Sequence, residues 1–328
     1  MSTIPPIRWG ILGTGRIAGI FAEGLTALSD AKLVAVGSRT AESAQRFASK
    51  FNVPRVHASY AALANDPEVD AIYVATPHTG HMEDTIRCIQ AGKAVLCEKP
   101  FAVNAGQATT MINAAKAANV PLMEAMWTRF LPAVRRAVEL INQGAIGEVR
   151  MIQSDFGFRT EVNPSGRLFD KNLAGGGLLD VGVYCVSFSV MLLGAARAAT
   201  GIADIGSTGV DEQAAAVMSF DGGRLAYFST AIRTSTPMEA TVLGTNGYLR
   251  IETPFFAANK LTLHTGGKTE VIDVPFVGNG YNYEAAEIGR LIREKKVESD
   301  IMSWTDTMRT MEAMDRIRAV WGLRYPME

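Results

Sequence analysis

The chain has 328 residues, of which 48% are hydrophobic and 20% charged, and its 32 basic side chains offset 33 acidic ones to leave a formal net charge of −1. That balance excludes intrinsic disorder, and without a basic field a nucleic-acid or membrane-surface partner is not expected. At roughly 100 to 200 residues per domain the length predicts two domains. The opening residues MSTIPPIRWG show no charged leader followed by an apolar run and a cleavage site, and no window approaches about 18 uninterrupted apolar residues, so neither a secretory signal nor a membrane span is expected. Cys88, Cys97 and Cys185 have no CxxC spacing, which predicts a reducing, cytoplasmic setting and no metal site.

In chain order, Ile7–Leu12 reads as a strand running into a glycine-rich turn and a helix over 16–28. A strand over 32–37, a helix over 41–51, a strand over 71–75, a helix over 81–91, a strand over 94–97 and a helix over 105–118 follow, with 121–123 as an edge strand. Strands alternating with helices of this length predict βαβ units in a parallel, doubly wound sheet. After about residue 125 the texture changes: a helix over 132–143, a strand over 148–157 and a helix ending at Gly194 precede alternating segments from 211 to 274, broken by DGG, TNG and TGG turns. Consecutive strands with tight glycine turns predict a large, mostly antiparallel sheet. Helices over 283–295 and 305–321 close the chain. The fold class is therefore α/β, with residues 1–124 as an N-terminal Rossmann domain and 125–328 as a C-terminal α+β domain, the cleft between them being the expected ligand site.

Gly13-Thr14-Gly15-Arg16-Ile17-Ala18 places G-x-G-x-x-A where the first strand enters the first helix. Gly13 suits the tight turn, Gly15 the close approach of a pyrophosphate and Ala18 the helix packing, so a dinucleotide is the expected cofactor. An acid about 20 residues on would hold the ribose diol of NAD, but the second strand ends Gly37-Ser38-Arg39-Thr40, with no carboxylate until Glu42. A hydroxyl and a guanidinium suit a 2′-phosphate and favour NADP; if Arg39 only stacks on the adenine, NAD is accepted as well. Cys97-Glu98-Lys99-Pro100 ends the fourth strand at the carboxyl edge, where ligands bind in open α/β sheets. Asp180 and Tyr184, four apart after Gly175-Gly176-Gly177, share one face of a helix.

These three motifs occur in this order in the glucose-fructose oxidoreductase, inositol dehydrogenase and rhizopine-catabolism (Gfo/Idh/MocA) family, which the chain resembles over essentially its whole length. Ala94–Pro100, the run MEAMWTRF over 123–130 and Tyr184 resemble the branch of dimeric dihydrodiol dehydrogenases and NADP-dependent D-xylose 1-dehydrogenases. Many members carry His where this chain has Tyr184, and Asn where it has His78. The resemblance implies that Lys99, Asp180 and Tyr184 are catalytic, and that Glu98 touches the nicotinamide ribose. It also implies that Thr76, Pro77, His78 and His81 follow the cofactor and that Trp127 and Arg129 lie near the nicotinamide, with Phe156, Arg167 and Phe276 as substrate-pocket residues. His81 could equally cap the helix it opens.

Alcohol oxidation leaves the hydride chemistry to the cofactor and the hydroxyl proton to the protein. A free tyrosine titrates near about 10, and a nearby cation favours its phenolate. Tyr184 is thus the expected proton acceptor with Lys99 as the cation, the reverse assignment to Lys99 remaining open. The expected reaction is hydride transfer between NADP and a secondary alcohol or carbonyl of a sugar, polyol or trans-dihydrodiol. The alternatives are a non-catalytic dinucleotide-sensing regulator and an NAD-dependent glycosidase. Apolar residues on both faces of 214–220 and 224–231, together with the resemblance, predict a homodimer or higher homo-oligomer.

Overall fold

The computed structural model describes residues 5–328. Contacts divide the chain into two units. The first runs to Ala102 and takes in Gly106–Trp127 and Val277–Trp304; the second holds Val103–Ala105, Thr128–Phe276 and Thr305–Glu328.

The first unit is built on β1 (Ile7–Leu12), α1 (Arg16–Leu25), β2 (Ala31–Gly37), α2 (Ala41–Phe51), β3 (Arg55–His57), α3 (Tyr60–Ala64), β4 (Ala71–Val74), α4 (His81–Gln90), β5 (Ala94–Glu98), α5 (Ala105–Ala118) and β6 (Leu122–Ala125). The six strands form one parallel sheet in the order β3-β2-β1-β4-β5-β6. Every residue of β4, β5 and β6 is buried, as expected for strands covered on both faces. Trp9, Phe21 and Tyr73 tie α1 to the sheet, with the Phe21 and Tyr73 rings stacked 3.8 Å apart. Helix starts follow local chemistry: the Thr40 hydroxyl accepts from Ser43 N to open α2, and Ser59 accepts from Ala62 N to open α3. The strand β3 and helix α3 were not foreseen, being too short and too exposed for a periodic pattern.

The second unit contains α6 (Pro132–Asn142), β7 (Val149–Gly157), α7 (Val183–Leu193), β8 (Ala198–Ile205), β9 (Asp211–Ser219), β10 (Leu225–Ala231), β11 (Ala240–Gly244), β12 (Gly247–Ile251), β13 (Lys260–Thr265) and β14 (Lys268–Asp273). Its eight strands run in the order β14-β13-β12-β11-β7-β10-β9-β8, antiparallel except where β7 pairs with β10. Of the two last helices, α8 (Tyr281–Glu294) falls in the first unit and α9 (Trp304–Trp321) lies almost wholly in the second. The division at 124/125 in chain order thus differs from how the contacts divide the molecule: residues 277–304 return to the parallel sheet, where α8 packs on α1 and β5. The segment Lys171–Leu193 is long and apolar enough to cross a membrane, but 89% of its apolar window is buried inside the protein, as in a core helix.

Candidate active site

At the carboxyl edge of the parallel sheet, the turn from β1 to α1 is shaped for something larger than a side chain. Gly13 has φ +106°, and a Cβ there would stand 2.7 Å from the Ala75 carbonyl oxygen, so only glycine fits. At Gly15 a Cβ would meet nothing within 4 Å, leaving open space in front of α1. That helix begins with no side-chain cap and no acid in its first turn. Its leading amides, with Thr14, Gly15, Arg16 and Ile17 around them, are presented to an anion, and a pyrophosphate fits. A cleft of about 470 Å³ opens beside this turn between α1 and α2, and Arg16, Arg46 and Lys50 contribute to its lining.

The end of β2 offers no carboxylate. Ser38 is buried, Arg39 is exposed beside the Tyr60 hydroxyl, and Glu42 turns to Arg46 at 3.7 Å. After β4, Thr76 and Pro77 lead into a short turn at His78, while His81 is buried with Nδ1 2.8 Å from the Pro100 carbonyl and Nε2 2.9 Å from that of Thr76. His81 therefore clasps the loops after β4 and β5 together. Burial lowers its pKa below the usual imidazole range against the pull of both carbonyls.

Glu98 ends β5 with both carboxylate oxygens engaged: the Tyr73 hydroxyl donates to Oε1, and the Lys99 backbone N–H donates to Oε2 at 3.0 Å. The peptide between Lys99 and Pro100 is cis. Glu284, from α8, is wholly buried with neither oxygen hydrogen-bonded among the described residues, and burial followed by the charge of Glu98 pushes its pKa well above the carboxylate range. Burial and Glu98 likewise raise Tyr73. Trp127 stacks on Tyr281 at 4.5 Å. Tyr73, Tyr281 and Glu284 carry no motif, and sequence reasoning missed them.

In the second unit, the glycine run leads into a π-helical turn, Leu178–Gly182, that continues as α7. The turn carries Asp180 and the helix carries Tyr184, and both are buried. The Arg167 guanidinium donates to Asp180 Oδ1 at 2.8 Å. Around Tyr184 stand Phe156 at 5.3 Å and Phe256 at 5.8 Å, and these two phenylalanines stack on each other at 4.2 Å and 6°. Phe276, expected in the pocket with Phe156 and Arg167, is the last residue of this unit's middle segment and half-buried; Phe256, which stands beside Tyr184 with Phe156, is held by the Thr128 hydroxyl donating to its carbonyl at 2.7 Å. Arg129 is 1% exposed and turned inward, its Nε and Nη2 donating to the Ser187 hydroxyl and carbonyl, and its Nη1 to Asp306 at 2.6 Å. Among the described residues no cluster of three or more His, Cys, Asp or Glu is placed to hold a metal.

A parallel sheet with a glycine cradle at its first turn, joined to an antiparallel-sheet unit bearing a Tyr–Asp pair, defines a dinucleotide-dependent oxidoreductase class. Residues 7–126 match the oxidoreductase family model with an NAD-binding Rossmann fold, and residues 134–250 match the Gfo/Idh/MocA C-terminal domain. The chain belongs to the Gfo/Idh/MocA oxidoreductase family. It is 36% identical over 334 residues to trans-1,2-dihydrobenzene-1,2-diol dehydrogenase of Mus musculus, covering 98% of this chain and 99% of that protein. The Xenopus laevis protein of the same name is 37% identical over 331 residues, covering 97% and 99%. Among solved structures, the aldose-aldose oxidoreductase of Caulobacter crescentus complexed with glycerol superposes with a TM-score of 0.87 at 25% identity, covering 96% of this chain and 97% of that one. A 3-ketoreductase from Actinomadura kijaniata, in complex with NADP and TDP-benzene, shares the fold with a TM-score of 0.86 at 24% identity and covers 96% and 98%.

Proposed function

We propose that the chain is an NADP-dependent dehydrogenase or reductase acting on a secondary alcohol or carbonyl of a trans-dihydrodiol or a sugar. The observation that carries this reading is the pairing of Asp180 and Tyr184, both buried, with the Phe156–Phe256 stack beside the tyrosine. A proton-handling hydroxyl next to flat aromatic faces suits a cyclic diol. The names of the mouse and frog relatives support the diol, and that of the Caulobacter protein supports a sugar.

When bound, the nicotinamide cofactor gives or takes the hydride. The amides after Gly13 would hold its pyrophosphate, Ser38 and Arg39 its 2′-phosphate, and Glu98 its nicotinamide ribose. The absence of an acid at the end of β2 supports NADP over NAD. Tyr184 accepts the substrate hydroxyl proton in oxidation and returns it in reduction. Lys99 supplies the cation that makes this feasible near neutral pH, each unit of pKa lowering corresponding to about 1.4 kcal/mol. Asp180, oriented by Arg167, holds the substrate. We further propose that the enzyme works in a reducing cytoplasm, its three cysteines being buried and unpaired. Finally, we propose that it assembles as a homodimer through the outer face of β8, β9 and β10, where Ile202 is 82%, Val217 41% and Tyr227 42% exposed.

The test is absorbance at the reduced-nicotinamide band with NADP or NAD and a panel of trans-1,2-dihydrobenzene-1,2-diol, D-xylose, D-glucose and inositol. Turnover of a panel member with net NADP reduction supports the reading; product formation with no net cofactor change identifies glycosidase chemistry instead. Lys99→Met should cost orders of magnitude in turnover with cofactor binding retained, and nearly full activity in that variant refutes the assigned roles.

A further inference from the structure

The glycine run ahead of Asp180 is held residue by residue from three other parts of the second unit. The Tyr325 hydroxyl donates to the Gly175 carbonyl at 2.7 Å, and the Thr230 hydroxyl of β10 donates to that of Gly177 at 3.2 Å. Asp211, the first residue of β9, accepts the Leu178 N–H on Oδ2 at 2.6 Å, where the π-helical turn begins. Its Oδ1 is buried with no hydrogen-bond partner among the described residues and faces Gly176, which has φ +118° and where a Cβ would stand 2.1 Å from that oxygen. The glycine is thus cut to the shape of the carboxylate, and the carboxylate sits where a helix start favours negative charge. Asp211 itself is 0% exposed.

We propose that Asp211 is a positioning residue for the Asp180–Tyr184 pair: as an anion it anchors the start of the segment bearing both side chains, and its protonation loosens that segment and gives the reaction an acid limb. This rests on the functional reading above and adds a residue to which no role was assigned. The charged and titratable groups facing Asp211 are Arg318 from α9, whose charge favours the anion, and the Tyr325 hydroxyl from the C-terminal tail. Burial outweighs Arg318 and the amide hydrogen bonds and lifts the carboxyl to about 7, inside the working range of pH. A hydrogen bond to an ionised acceptor is roughly twice as strong as one to a neutral acceptor, so protonation weakens the anchor without removing it.

The test uses the full chain with NADP, comparing wild type with Asp211→Asn, Thr230→Val and Tyr184→Phe. In openings that leave Asp211 buried, losing the Leu178 N–H removes a bond that favours the anion, so hydrogen exchange of the peptide spanning residues 175–184, corrected for intrinsic rate, should be roughly fivefold to tenfold less protected at pH 6 than at pH 8 in wild type, opposite in sign to global stability. Asp211→Asn should show the low-pH protection at both values. With trans-1,2-dihydrobenzene-1,2-diol or the panel member turned over, Asp211→Asn should lower kcat, abolish its acid limb and leave the NADP Kd unchanged. Thr230→Val should lower kcat with the limb in place, because it loosens Gly177 without removing the titrating group, and it serves if Asp211→Asn fails to fold. Wild-type protection that does not change between the two pH values, or an acid limb retained in Asp211→Asn, overturns the proposal. Full turnover in Tyr184→Phe instead overturns the assigned roles of the site, and the exchange measurement then decides the anchor by itself.

Discussion

The anion at Asp211 is held at a thermodynamic cost that can be measured apart from any activity. Burial lifts its carboxyl in the folded chain to about 7 from the ordinary 3.8. The folded state therefore keeps its proton through a window in which the unfolded chain has released it, and stability falls as pH rises through that window. The whole shift corresponds to about 4 kcal/mol, most of which falls between pH 5 and pH 8. Asp211 is wholly buried, so no solvent screening reduces this figure. Replacing Asp211 with Asn keeps the shape and removes the titration. Urea unfolding of wild type and Asp211→Asn at a series of pH values should give two curves that diverge, wild type losing about 2 to 3 kcal/mol relative to the variant from pH 5 to pH 8. Other buried acids such as Glu284 are present in both proteins and cancel in the difference. Parallel curves, or wild type gaining on the variant as pH rises, would refute the argument that a buried charge is maintained here. Divergence alongside a loss of kcat would show stability given up for the placement of Asp180 and Tyr184.

Gly13→Ala forces a Cβ to within 2.7 Å of the Ala75 carbonyl at a φ of +106°, so calorimetric titration should show NADP affinity reduced by tenfold or more, about 1.4 kcal/mol; unchanged affinity would mean the turn does not meet the cofactor. Arg129→Met removes a buried guanidinium from Ser187 and from Asp306, which keeps Arg309, and should destabilise the fold by about 1 to 3 kcal/mol while the folded fraction binds NADP normally. A specific loss of NADP binding with stability intact would instead support a direct role of Arg129 at the cofactor. Val217→Glu with Tyr227→Glu puts two carboxylates on the outer sheet face and should convert a dimer to a monomer by light scattering; a wild type that is monomeric at all concentrations rules out the dimer.

What could be read from the chain was whatever the backbone demands locally. Gly13 and Gly15 announce a phosphate turn because no other residue adopts that φ or leaves that space, and Thr40 and Gly194 mark helix ends by their own side-chain chemistry or its absence. The parallel sheet followed from apolar runs alternating with helical periods. What the chain left out shares a cause, which is sequence distance. Arg129 is expected near the nicotinamide because it follows Trp127, and nothing near it in the chain announces its partners Ser187 and Asp306, 58 and 177 residues away. The helix α8 reads as part of the second domain because it follows that domain's strands, yet it packs beneath the first sheet, where it brings in Glu284 and Tyr281. Phe276 and Phe256 are indistinguishable as phenylalanines in loops, and only the fold places Phe256 beside Tyr184.

Asp211 shows the same limit from the functional side. Leu178 is 33 residues away, and between them lie a whole helix and a strand, so no spacing rule joins the acid to the turn it anchors. What the sequence does hold is the complementary half: Gly176, whose φ of +118° calls for glycine and whose missing side chain also leaves the room that the Asp211 carboxylate fills. The positions that orient Asp180 and Tyr184 are therefore written twice, once as an acid at the head of a strand and once as an absent Cβ, and a substitution at either should disturb the same pair.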